Sequence, residues 1–361
     1  MMRKTRIEYY WKRPPDPRRH RTAISLHSHT LHSREYLHYV PRICGDLAWS
    51  RAWWTPPLTP RQAWDVAAGQ IRDRLRLQPL VSLTDHDNID GPVQLRVLPH
   101  YRHTPISFEW TIRWGPAVFH LGVHQMPPGE ASSLFAQMNG CPQAAVPELL
   151  ARLHRIPGVL IVFNHPLWDE FSVGQRTQDD QVIDLLQRHG AHIHALELNG
   201  LRSWSENQRV FELAGRVALP LISGGDRHGC EPNANLNLTN AATFSEFVAE
   251  VRDGQSEVLF MPHYRENRTA RIIHQVWEVL RDDDAHGLGW KRWNDRIFYE
   301  TEDGAVKSLA KLWGADVPYA TRAFVGLINL MAHEPVRKAV RGLSTLRSNT
   351  SAAAAPQTSR S

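Results

Sequence analysis

Cysteine is scarce. The 361 residues hold three, Cys44, Cys141 and Cys230, far apart and without a Cys-x-x-Cys pair, which excludes a disulfide framework and a zinc ribbon and fits a reducing cytoplasm. Long apolar runs are also missing. The most apolar late stretch, 323–332, is too short to span a bilayer, so no membrane partner is expected. The first residues are basic but run into Tyr9-Tyr10-Trp11-Lys12-Arg13-Pro14-Pro15 instead of an apolar segment, which does not read as a signal peptide. No Gly-x-Ser-x-Gly elbow is present, which argues against a serine hydrolase. No internal repeat exceeds a strand–helix unit.

The chain is instead rich in histidine, with 20. Hydrophobic content of 42% and charged content of 22% are those of a globular protein long enough for one large α/β barrel or two ordinary domains. The net charge of +5 would favour anionic substrates or a nucleic-acid surface. Much of that excess, however, crowds residues 1–21, which read as a basic, Pro-rich N-terminal arm.

The placement of the histidines organises the rest. The stretch 23–29 reads as a short buried strand ending in His27 and His29, which project to the same side because residues two apart on a strand share a face. A long connection, 30–78, carries the aromatic, proline-stiffened run 49–57, a candidate lid or rim element. Thr59 then caps a helix with Pro60 in its first turn and Ala63, Trp64, Ala67, Ile71 and Leu75 on one face. Further strands follow at 80–84, 105–108, 117–124, 159–163, 193–196 and 219–222, mostly separated by helical spacing. They end at, or carry, His86, Glu109, His120 with His124, His165, Glu197, and Asp226 with His228. Strands alternating with helices argue for parallel pairing, and seven such units for a barrel whose chemistry sits at the carboxyl ends of its strands. A last short strand, 258–260, precedes a mainly helical segment, 266–347, and a Ser/Thr/Ala-rich tail, 348–361, expected to be disordered.

Taken as an ordered set, His27-Ser-His29, Thr84-Asp85-His86, Glu109, His120-Leu-Gly, Asn164-His165-Pro166, Glu197 and Gly225-Asp226-Arg227-His228 resemble the polymerase and histidinol phosphatase (PHP) family over about residues 22–265. The resemblance implies a distorted (β/α)7 barrel that holds two or three divalent ions, usually zinc, manganese or iron, and hydrolyses phosphoesters. It implies one metal among His27, His29, Glu109 and Asp226. Glu109 would bridge to a second metal held by His165 and by His120 or His124, and His86 and His228 would face a third. Where the family completes the third site with an Asp or His, this chain has Ser33-Arg34-Glu35, so Glu35 or His32 takes that place or the site is weak. Arg34 would hold a substrate phosphate or form an outward salt bridge, and Arg227 would neutralise phosphoryl oxygens or point out of the site. Asp85 or Asp87 would orient His86.

The donor types lead to similar chemistry independently. Imidazole with carboxylate suits zinc, manganese or iron, and paired ions favour in-line displacement at a phosphoester. The expected activity is therefore a cytoplasmic, metal-dependent phosphoesterase with Asp226, His228 and Glu109 central to catalysis. The expected substrate is a small phosphorylated metabolite, a nucleotide or an oligonucleotide end. The alternatives are a metal-dependent hydrolase of a carbonyl compound and a non-catalytic barrel that binds nucleic acid or protein.

Overall fold

The computed structural model describes residues 5–37, 47–284 and 286–333. Cys44, the tail 348–361 and the last part of the expected helical segment, 334–347, lie outside them. The strands, in chain order, are β1 (Arg6–Tyr9), β2 (Thr22–Ser25), β3 (Glu35–Tyr36), β4 (Ala52–Trp54), β5 (Gln78–Val81), β6 (Ile106–Trp114), β7 (Ala117–Met126), β8 (Leu160–Asn164), β9 (Ala195–Asn199), β10 (Leu221–Gly224), β11 (Asn235–Thr239), β12 (Glu257–Phe260), β13 (Ile297–Glu300) and β14 (Val306–Ser308). The helices are α1 (Pro60–Gln70), α2 (Asp90–Leu95), α3 (Ala131–Met138), α4 (Val146–His154), α5 (Gln175–His189), α6 (Trp204–Val217), α7 (Phe244–Arg252), α8 (Arg268–Leu280), α9 (Leu309–Trp313) and α10 (Tyr319–Ala332). None of the described helices is long and apolar enough to cross a membrane.

The strands form three sheets, not a closed barrel: β1-β12-β11-β2-β5, β10-β9-β8-β7-β6 and β14-β13-β4-β3. The seven strands expected from the sequence are β2 and β5 to β10, now divided between two sheets. Nor are they all parallel, because β7 runs antiparallel to both β6 and β8. The cause is local. Trp114 pairs with Ala117, leaving Gly115-Pro116 as a two-residue turn with Gly115 at φ +58°, and so short a connection can only join antiparallel neighbours. Glu109 therefore sits within a long hairpin strand instead of at a strand end.

The two five-stranded sheets meet through single bridges just past β2 and β5, Ser28 with Arg227 and His86 with Glu109. Backbone bonds from Gly225 N to Leu26 O (3.0 Å), His29 N to Arg227 O (2.9 Å) and Glu109 N to Asp85 O (3.1 Å) close these seams. Between the sheets, Ile24, Leu26, Leu160, Val162 and Ile222 pack on Phe244, Phe247 and Val251 of α7. Outside, α3 to α6 cover the second sheet, while α1 and α2 pack against Val81 and Leu83. The start of α1 follows its sequence, with a capping box between Thr59 and Gln62 and Pro60 in the first turn.

Strand β11 was not anticipated, because its Asn-Leu-Asn-Leu alternation puts the polar side inward. Asn235 donates to Leu198 O at 2.6 Å and Asn237 to Ser223 O at 3.2 Å, hooking one sheet onto the other, while Leu236 and Leu238 face Ile71 and Leu75. The N-terminal segment supplies β1, parallel to β12. The segment after 266 is helical, but it also supplies the hairpin β13–β14. This hairpin pairs with β4, and Trp53 stacks on Phe298 with ring centroids 5.9 Å apart. The aromatic run 49–57 is thus packed into a sheet with the C-terminal segment.

Candidate metal centre

Non-glycine residues in the left-handed region of backbone conformation mark the exits of the strands that build the site. They are His27 (φ 60°), Asp87 (44°), His165 (26°) and Asp226 (49°). Each costs on the order of 1–3 kcal/mol, so the surrounding structure must enforce it. These turns, together with the two seams, aim imidazoles and carboxylates from both sheets into one buried space.

Glu109, fully buried, lies at its centre. Its Oε2 is 3.0 Å from His27 Nε2, 3.4 Å from His29 Nε2 and 3.4 Å from His86 Nε2. Its Oε1 is 3.2 Å from His165 Nε2 and 3.7 Å from His120 Nδ1, and it accepts from Asn164 Nδ2 at 2.9 Å. Asp226 Oδ1 stands 3.6 Å from His27 Nε2 and 3.7 Å from His29 Nε2. A third group forms around Glu35: Oε2 is 3.5 Å from His86 Nε2 and 3.3 Å from His228 Nε2, and Oε1 is 3.6 Å from His29 Nδ1. Three of the donor groupings with metal-ligand spacing are His27/His29/Asp226, His27/Glu109/His165 and His29/Glu35/His86/His228.

Neighbouring side chains fix the rings. Glu197 takes His27 Nδ1 at 2.6 Å through Oε1, and its Oε2 accepts from His165 N and Asn199 Nδ2, both at 2.8 Å. Glu197 therefore orients ligand-type groups from behind. A side chain at Gly224 would collide with it, since a Cβ there would fall 1.5 Å from Glu197 Oε1. His228 Nδ1 lies 3.1 Å from Asp226 O, leaving Nε2 for the cluster.

The electrostatics are those of a cation site. Burial works against the charge on His27, yet the carboxylates of Glu109, Glu197 and Asp226 raise it well above the ordinary range. Burial likewise opposes His228, but Glu35 and Asp226 lift it to about 9. His29 goes the other way, pushed down to about 4 by burial and by the His228 charge. Burial favours protonation of Glu35, but the charges of His228, His86 and His29 hold its carboxyl far below the usual range. His29 Nε2 is buried without a hydrogen-bond partner. An orphaned buried nitrogen facing carboxylates, beside His27 and His228 whose charged forms those acids favour, is a donor set that divalent metal ions fit.

The expected site residues divide as follows. His27, His29, Glu35, His86, Glu109, His120, His165, Asp226 and His228 come together. His124 does not join them. It lies four residues further along β7 than His120, bonds Ser82 Oγ through Nδ1 at 2.9 Å, and is held near 3 by burial. Arg227 turns away, donating to Gly229 O (3.0 Å) and to Ala63 O of α1 (2.7 Å), so it braces the fold and does not face a phosphoryl group. Arg34 is exposed, its guanidinium 5.0 Å above the Trp53 ring. His32 lies beside Asp90 and Gln94. Asp85 accepts from Thr30 N and Oγ1 (2.5 and 2.8 Å), and Asp87 from Thr111 N (2.9 Å), so these acids tie backbone instead of orienting His86.

Three side chains at the site, Glu170, Arg202 and Trp168, were missed, while Trp54 reaches it from the run 49–57 expected as a lid or rim element. Glu170 Oε2 lies 3.5 Å from His120 Nε2. Arg202 stacks 3.8 Å over Trp168 and reaches Asp226 Oδ2 at 3.6 Å. Trp168 lies 5.1 Å from the His165 ring, and Trp54 5.7 Å from that of His228. Trp168 and Glu170 closely follow Asn164-His165-Pro166, which was the available signal. Arg202 sits in a loop without periodicity and offered none.

No family profile and no curated protein matches the chain. Solved structures overlap with it at low similarity. An amidohydrolase from Chromobacterium violaceum has 17% identity and a TM-score of 0.37, covering 57% of this chain and 87% of its own. A protein from Bifidobacterium adolescentis assigned as a metal-dependent phosphoesterase has 17% identity and a TM-score of 0.39, covering 67% and 98%. PsfC from Pseudomonas syringae has 16% identity and a TM-score of 0.43, covering 67% and 93%. At such low overlap the functional reading rests on the side chains of the cluster.

Proposed function

We propose that the chain is a metal-dependent hydrolase of the PHP type, a phosphoesterase acting on a small phosphorylated metabolite, a nucleotide or an oligonucleotide end. The observation that carries this reading is Glu109: one buried carboxylate whose two oxygens face two different histidine sets. Such a carboxylate can bridge two ions. His27, His29 and Asp226 would complete one position, His165 and His120 a second, and Glu35, His86 and His228 a third. Zinc, manganese or iron suits these donors. When bound, such ions supply Lewis acidity toward a phosphoryl oxygen and a nucleophilic water at neutral pH.

The chain's own groups prepare that space. Glu197 fixes the His27 ring so that Nε2 faces inward. Arg202 and Asn199 hold Oδ2 of Asp226, leaving Oδ1 toward the histidines. Trp168 and Trp54 flank the cluster with apolar surface, which limits water and strengthens electrostatic contacts there.

The test is a panel of phosphomonoesters, cyclic phosphates and short oligonucleotides with added manganese or zinc. Hydrolysis that disappears in Glu109→Gln supports the reading. Turnover of an amide or lactone with no phosphoester cleaved would move the activity to carbonyl chemistry.

A further inference from the structure

At the opposite end of the first sheet, a second group of ligand-type side chains shares no residue with the central cluster. Glu257 is the first residue of β12, His20 precedes β2, and Glu8 lies on β1. Strands β12 and β2 both run antiparallel to β11, so their amino ends lie together, away from the carboxyl ends where His27 and His29 sit. We propose that Glu8, His20 and Glu257 form a structural site for a divalent transition-metal ion that fastens the N-terminal arm to the sheet.

Three observations support this. One donor atom from each residue falls within metal-ligand spacing of the others. His20 is only 5% exposed, and its Nε2 has no hydrogen-bond partner although it points at Glu257 Oε1 from 3.3 Å; that oxygen is likewise buried and without a partner. Two orphaned atoms aimed at one another are poorly served by each other and well served by a cation between them. Finally, Glu8 and His20 belong to the arm and Glu257 to β12, so an ion shared by the three would link an otherwise thin element to the core.

The surroundings set the strength. Arg6 takes the other oxygen of Glu257 at 3.4 Å, and Arg19 stands 3.8 Å from Glu8 Oε1. These cations compete with a metal, so the ion binds here more weakly than at the central cluster, which lacks such neighbours at Glu109. A two-carboxylate, one-imidazole set with water as a further ligand suits zinc or manganese.

The test uses the full chain, zinc as the probe and two readouts. After incubation with zinc and gel filtration, His20→Ala and Glu257→Gln should each hold one equivalent less than the wild type. Trypsin should cut after Lys12 or Arg18 at least about tenfold faster in the variants, because local opening of the arm governs cleavage there. Adding zinc should slow cleavage of the wild type but not of the variants. Far-UV circular dichroism shows whether a variant has folded, and Glu8→Gln, on the half-buried edge strand, replaces any that has not. Zinc content equal to wild type in the folded variants, or arm cleavage insensitive to zinc, would overturn the site. Because the comparison is a difference at residues outside the central cluster, it stands or falls independently of the hydrolase reading.

Discussion

Glu35 Oε2 lies 3.3 Å from His228 Nε2, joining the segment that pairs with the aromatic excursion to the turn that follows β10. This contact puts a carboxylate where the sequence departs from the PHP pattern. Glu35→Gln removes the charge while keeping the size, so it should lower metal content by one equivalent and leave the pair bridged by Glu109 in place. Elemental analysis of both proteins checks this, and an unchanged metal content would leave Glu35 without that role.

His120 and His124 share a face of β7 but should behave differently. His120→Ala should lower metal content and activity together, since its ring lies between Glu109 and Glu170. His124→Ala should keep the metal and lose stability, by about 1–3 kcal/mol for the Ser82 partner left in a buried site. Denaturant melts and metal analysis on the two variants separate these outcomes.

A buried acid pair beside the turn that follows His228 gives a pH dependence of its own. Burial first, and then the charge of Glu231, raise Glu278 to about 8, and its Oε2 accepts from Cys230 N. The folded state thus holds a proton that the unfolded chain releases near its ordinary carboxyl value, 4.5. Between that value and about 8 the native state binds more protons, so stability falls as pH rises through this window. Glu278→Gln removes the titration and keeps an oxygen for Cys230. Its melting temperature should therefore decline less than that of the wild type between pH 5 and pH 8. Parallel curves for the two proteins would contradict this.

Much of the site was legible because its signals are local. Apolar strand runs that end in His27 and His29, His86, His165, or Asp226 and His228 need only period-two geometry and a turn. What was not legible depends on direction over longer distances. The continuation of β6 past Glu109 was masked by reading that acid as a strand end, although Gly115-Pro116 announced a hairpin. His120 and His124 point the same way from one strand, so only their depth along it separates them. Arg227 sits between two ligand-type residues yet turns toward Ala63 of α1, a path set by packing that sequence neighbours do not reveal. Barrel closure failed as an expectation for a related reason. The seams are single bridges, with β11 and β12 extending one sheet past the other.

Elemental analysis of the purified, desalted full chain beside Glu109→Gln tests most directly whether this cluster is a metal centre. The wild type should carry about two or more equivalents of zinc, manganese or iron, and the variant should lose at least one, because the oxygens that face both histidine sets are no longer those of a carboxylate. Wild-type content near zero that none of these metals restores, or an unchanged content in Glu109→Gln, would contradict it.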